Sequence, residues 1–106
     1  MALSLQILRI VDYDYYPGWV ECEFFDATGR RHQIVDKIPI FTEKLLEPED
    51  SYAQPGIVQC NIISQFRDEE NRELAKIVIE VESTEEITEF TVLSEQLQHN
   101  PWQRSS

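Results

Sequence analysis

Pro17-Gly18-Trp19-Val20-Glu21-Cys22-Glu23-Phe24-Phe25-Asp26-Ala27-Thr28-Gly29-Arg30-Arg31-His32-Gln33-Ile34-Val35 is the stretch that decides the fold. Val20, Cys22 and Phe24 alternate with Glu21 and Glu23, the period-two pattern of a half-buried strand. Asp26-Ala27-Thr28-Gly29 is a turn signal, and its glycine suits a type I turn closed by a left-handed residue that forms a bulge. That geometry sets Asp26 against Arg30, Phe24 against His32 and Cys22 against Ile34. His32 then falls on the inward phase, where a lone histidine is expected to be a hydrogen-bonded core residue.

The layout recurs 38 residues later. Pro55-Gly56-Ile57-Val58-Gln59-Cys60-Asn61-Ile62-Ile63 matches Pro17 to Phe25 at every position by identity or kind. Asp68-Glu69-Glu70-Asn71-Arg72 then repeats Asp26 to Arg30, with Asn71 in place of Gly29 as the next-best left-handed residue. A second hairpin follows, Ile57 to Phe66 outward and Leu74 to Val81 returning. Ala75, Ile77, Ile79 and Val81 form one apolar stripe on the return, and Leu74 and Val78 lie on its other face. Each Pro-Gly is expected to punctuate the start of its strand. An internal duplication and a coincidence of turn chemistry account for the repeat equally well.

Around these hairpins, residues 3–13 read as a first strand with odd positions inward, and Leu8 and Ile10 point to two covered faces or a bulge. Thr88 to Val92 reads as the last strand. Between the hairpins, Ile38-Pro39-Ile40 is expected to be extended, and Thr42 to cap one helical turn before Pro48. Ser94 is expected to cap a second turn near the end. The fold class is therefore all-β: a small six-stranded antiparallel barrel or strongly bent sheet built from two similar hairpins, with one or two single-turn helices. Residues 1–97 form a single domain, and 98–106 a polar tail carrying Trp102.

Twenty Asp and Glu against nine Lys and Arg leave a net charge of −11 on 106 residues. Such a chain repels nucleic-acid phosphates and anionic membrane surfaces and favours a basic protein partner, if its charge serves a partner at all. Arg30, Arg31 and Lys37 offer one small basic strip beside Trp19 and Tyr15, which the remaining charge opposes. Cys22 and Cys60 are too few for a disulfide framework and lack metal-ligand spacing, so both are expected buried and reduced. Met1-Ala2-Leu3-Ser4-Leu5 lacks a basic leader region, and no apolar run reaches transmembrane length. The chain is read as cytoplasmic, with no cofactor and no metal.

No constellation supports catalysis. Cys22 and His32 could approach diagonally across paired strands, but a thiol in an apolar setting stays protonated. Neither a zinc motif, a calcium loop nor a glycine-rich phosphate loop is present. The candidate partner-binding residues lie in two acidic stretches: Asp12, Tyr13, Asp14, Tyr15, Tyr16 and Trp19, and then Glu85, Glu86 and Glu89. Tyrosine there either packs a barrel rim or forms an exposed contact patch. The expected function is a non-enzymatic protein-interaction module, of the kind seen in acidic antitoxin or immunity proteins that cap basic enzymes. The alternative is a barrel that binds a small ligand at its mouth, with His32 and the tyrosine run around it.

Overall fold

The computed structural model describes residues 1–99. Seven strands form one antiparallel, strongly curled half-barrel: β1 (Ala2–Asp12), β2 (Trp19–Phe25), β3 (Arg31–Lys37), β4 (Gln54–Arg67), β5 (Glu73–Ile79), β6 (Glu89–Leu93) and the short β7 (Leu97–Gln98). Their order is β3-β2-β1-β4-β5-β6, with β7 beside the start of β1. The helical elements among the described residues are two 3-10 turns, Ile38–Ile40 and Ser94–Gln96. No helix among these residues is long and apolar enough to cross a membrane.

Two long strands produce the curl. The first part of β1 pairs with β4 and its later part with β2, while β4 passes from β1 to β5 at Cys60. Register shifts, two in β1 and one in β4, raise the local twist. In β1, Ile7 faces Cys22 and Arg9 faces Glu21, so Leu8 is the extra residue. The inward phase therefore moves from Leu3, Leu5 and Ile7 to Ile10. Val11, expected inward from its odd number, is exposed instead. A second shift in β1 skips Val11 itself, between Ile10 and Asp12, and the shift in β4 likewise leaves Ile63 outside.

The concave side holds the core. Val20, Cys22, Phe24 and Ile34 from the first hairpin meet Val58, Cys60, Ala75, Ile77, Phe90 and Val92. Phe24 packs edge-on against Phe90 with ring centroids 5.0 Å apart. The two sheet edges meet at isolated bonds: Ala27 N–H donates to Thr91 O at 2.9 Å, and Thr84 N–H to Gln33 O at 2.8 Å.

Four local expectations differ. Ile38-Pro39-Ile40 is a 3-10 turn, because proline's fixed φ and missing N–H suit a first helical turn as well as an extended one. Thr42 caps no helix; its hydroxyl accepts Lys44 N–H at 3.1 Å and makes an irregular turn. Ser94 begins its 3-10 turn instead of capping it, and the Gln96 side chain takes Leu93 N–H at 2.8 Å. Gln98, expected in the tail, pairs with Ala2 in the sheet. The rest of the tail from residue 100, Trp102 included, lies outside the described residues.

Candidate functional site

The tyrosine run leaves the sheet where β1 ends. Asp12 accepts Asp14 N–H at 3.0 Å, and Gly18 N–H donates to Tyr15 O at 2.9 Å to close a turn through a cis Tyr16–Pro17 bond. Gly18 takes φ +86°, and its carbonyl accepts Ile38 N–H at 3.1 Å. A β-carbon at Gly18 would stand 3.0 Å from Ile38 Cδ1. Glycine thus permits both the left-handed conformation and the close seating of this loop on the 3-10 turn.

Between the loop and the segment after β3 lies a groove of about 460 Å³. Tyr13, Tyr15, Tyr16, Pro17 and Gly18 line one wall. Ile38, Pro39 and Thr42 to Leu46 line the other. Ile38 and Leu46 are buried at its base, whereas Tyr15 is 80% exposed, Tyr16 94% and Leu45 90%. The tyrosines thus form an open patch, not rim packing. Trp19 stands 38% exposed at the start of β2, opposite Lys37, whose ammonium lies 6.0 Å from the indole centroid.

Carboxylates flank this groove. Asp12 and Asp14 border Tyr13 in the loop. Past the second wall, Glu47 N–H donates to Asp50 Oδ2 at 2.8 Å, and the Tyr52 hydroxyl donates to Glu47 O at 2.8 Å. A hydrogen bond with the Glu49 carboxyl and its charge, then burial and Asp50, push the Glu47 carboxyl above its usual range. Partial burial raises the Tyr52 hydroxyl, as do the charges of Asp50, Tyr13 and Glu49.

The second acidic stretch lies elsewhere. Glu85 pairs with Arg30 at 2.5 Å, and Glu89 with Lys76 at 2.7 Å. Glu86 is exposed at φ +63° in a turn organised by buried Ser83, whose hydroxyl accepts Glu85 and Ile87 N–H groups. This loop docks on Gln33 and Arg30, toward the turn end of the first hairpin, whereas Trp19 sits at its open end. The two candidate stretches are therefore not one surface. The basic strip is divided as well, with Arg31 paired to Glu23 and Lys37 placed against Trp19.

His32 is not at the groove, contrary to its expected place at the mouth. It is 4% exposed, with its ring 4.7 Å from Phe90 and 5.3 Å from Phe24. Nε2 lies 2.7 Å from Asp26 Oδ2, where a ring N–H donates to the carboxylate, while among the described residues buried Nδ1 has no partner. Burial opposes the charge on Asp26, but hydrogen bonds from Thr28, His32 and the backbone N–H groups of Arg30 and Thr28 outweigh it and lower its pKa to about 2. The Cys22 thiol, buried and near Glu21, is pushed up to about 12, and burial raises Cys60 too. Both cysteines are free and buried, so neither thiol offers a nucleophile. Among the described residues no group of three or more His, Cys, Asp or Glu is placed to hold a metal ion.

The second wall, from Ile38 to Leu46, belongs to a connection whose length alone suggests a functional loop, but none of its residues is among the candidate partner-binding residues. Its signal was the apolar content of a long connection, Ile38, Ile40, Phe41, Leu45 and Leu46. Phe41 is wholly buried, although it lies in this connection and not in a strand. Compared with known protein families, with curated proteins and with solved structures, the chain matches none.

Proposed function

We propose that this chain is a non-enzymatic interaction module that receives a basic protein partner on its tyrosine groove. The observation that carries this reading is the near-complete exposure of Tyr15 and Tyr16 on a loop held in place by Gly18 and Ile38. Large rings that contribute nothing to the core, set on a fixed loop, offer contact area at small entropic cost. Asp12, Asp14 and the Glu47–Asp50 turn complement a basic surface. Glu85, Glu86 and Glu89 add to the long-range field from a separate patch. An inhibitor that caps a basic enzyme is one form such a module takes.

A groove of this volume also falls in the range of small-ligand pockets, and this supports the second reading. It is the weaker one, because a ligand seated between the walls leaves Tyr16 uncovered at the rim.

The test is a double substitution, Tyr15→Ala with Tyr16→Ala. The melting temperature stays within a degree or two, roughly the effect of a neutral surface change, while binding to a basic partner is lost. Neutralising Glu85, Glu86 and Glu89 slows association at low salt only, because screening removes the field at high salt. Unfolding of the double variant would assign the rings to the core and end this reading.

A further inference from the structure

We infer that the groove takes an extended, proline-containing segment with basic residues beside the prolines. The inference rests on the interaction reading above and specifies the partner's chemistry. One wall is tyrosine rings with Pro17, the other carries Pro39 and exposed Leu45 beside Thr42, Glu43 and Lys44, and the base is aliphatic, Ile38 and Leu46. Such a surface fits the ridged flank of a polyproline II helix, whose rings lie flat on aromatic faces and whose ordering is largely complete before binding. That helix makes no internal hydrogen bonds, so its carbonyls are free to accept from the exposed tyrosine hydroxyls.

Size argues against an amphipathic helix in the same place. About 460 Å³ accommodates a few side chains, not the several anchors that a helix presents over two or more turns. An extended segment needs little depth and leaves the groove at both ends, which lets it cover Tyr16 at the rim. Charge sets the flanking chemistry. Glu43 and Lys44 offset each other within the lining, whereas Asp12 and Asp14 border one wall and Glu47, Glu49 and Asp50 lie past the other. Arginines on either side of the prolines meet carboxylates in both directions, whereas acidic flanks meet like charge.

Titration by isothermal calorimetry tests this with four synthetic peptides: Pro-x-x-Pro with arginine flanks, the same peptide with both prolines replaced by alanine, the same with glutamate flanks, and a basic amphipathic helix. The first is expected to bind, and loss of the prolines, the glutamate flanks and Tyr15→Ala with Tyr16→Ala are each expected to weaken it by roughly tenfold or more. Equal binding of the alanine peptide, or tighter binding of the helix, overturns the extended-proline inference but leaves the tyrosine groove as a partner site. Binding that survives the tyrosine double substitution places the contact elsewhere and overturns both. Heat from none of the four removes the basic-partner reading together with this inference, and leaves the small-ligand reading in its place.

Discussion

At the Asp26–Arg30 turn and the Asp68–Arg72 turn the hydrogen bonds from backbone N–H groups coincide one for one. Asp26 N–H donates to Arg30 O as Asp68 N–H does to Arg72 O, and Gly29 and Asn71 N–H groups donate back to the two aspartate carbonyls. The aspartate side chains take the N–H groups two and four residues on in both turns. The two Pro-Gly pairs behave otherwise. Pro17-Gly18 is a turn with Gly18 at φ +86°, whereas Pro55-Gly56 lies inside β4, with Pro55 opposite Gln6 and Gly56 opposite Leu5. Proline is tolerated there because its missing N–H falls on the side of β4 that β5 begins to pair only at Cys60. Aspartate turns carry their own hydrogen-bond acceptor and come out alike in both places. A Pro-Gly pair carries none, so its neighbours decide its structure.

The largest effect is expected from removing the two turn aspartates. Asp26→Ala strips bonds to Thr28, Arg30 and His32 and leaves the buried imidazole with no partner on either nitrogen, a loss of about 3 kcal/mol in chemical denaturation. Asp68→Ala costs clearly less, because Glu70 and Arg72 are exposed and water replaces their lost partner. Acid melts sharpen the contrast. The folded pKa of Asp26, about 2, lies below its ordinary 3.8, so its stabilisation is complete above about pH 5 and is lost as pH falls toward 2. Asp26→Asn should be less stable at neutral pH and flatter across that acid window. Equal losses from the two alanine variants would mean that His32 adds nothing to the first turn.

Next comes the difference between the Pro-Gly pairs. A β-carbon at Gly56 would stand 2.9 Å from Ile7 Cγ1 and Cδ1. Gly56→Ala is therefore expected to cost about 1–3 kcal/mol by overpacking. Trimming its neighbour with Ile7→Val should recover part of that loss in a double-mutant cycle. Gly18→Ala, strained in its backbone as well, should not be restored by trimming Ile38. Recovery at both sites would make the two glycines equivalent after all.

The smallest effects belong to the left-handed positions. Gly29 holds φ +86°, and a β-carbon there would meet no atom of the described residues within 4 Å, so Gly29→Ala encounters conformational strain alone, about 1 kcal/mol. Asn71 already holds φ +63°, and Asn71→Gly should be neutral or slightly stabilising in thermal melts. An unchanged melt for Gly29→Ala would contradict the turn geometry.

Features that depend on near neighbours in the chain were legible. The pairs Phe24–His32 and Cys22–Ile34, both turns and the inward placement of both cysteines follow from alternation and turn chemistry. Features settled by distant contacts were not. The bulge at Leu8 was legible only as one of two alternatives, and its outcome, Val11 turned outward, depends on how β2 pairs with β1. The placement of Gly56 depends on Ile7, and burial of Phe41 on the sheet that its segment closes. The candidate site divides in the same way. Its tyrosine wall is contiguous in sequence and readable. The hairpin register brings Ile38 beside Gly18, but the course of the chain on to Leu46 follows from no local pattern.

The seam between the sheet edges carries a consequence for the order of assembly. Each hairpin closes a short loop, whereas the bonds from Ala27 to Thr91 and from Gln33 to Thr84 join residues more than fifty positions apart. Chain entropy opposes such contacts until the intervening strands are in place. The seam therefore closes after the hairpins and, joined by isolated backbone bonds instead of a ladder, is where the domain is expected to open first. Such an opening separates Phe90 from Phe24 and His32 while leaving both aspartate turns intact, so the half-barrel unlatches along one line before it melts.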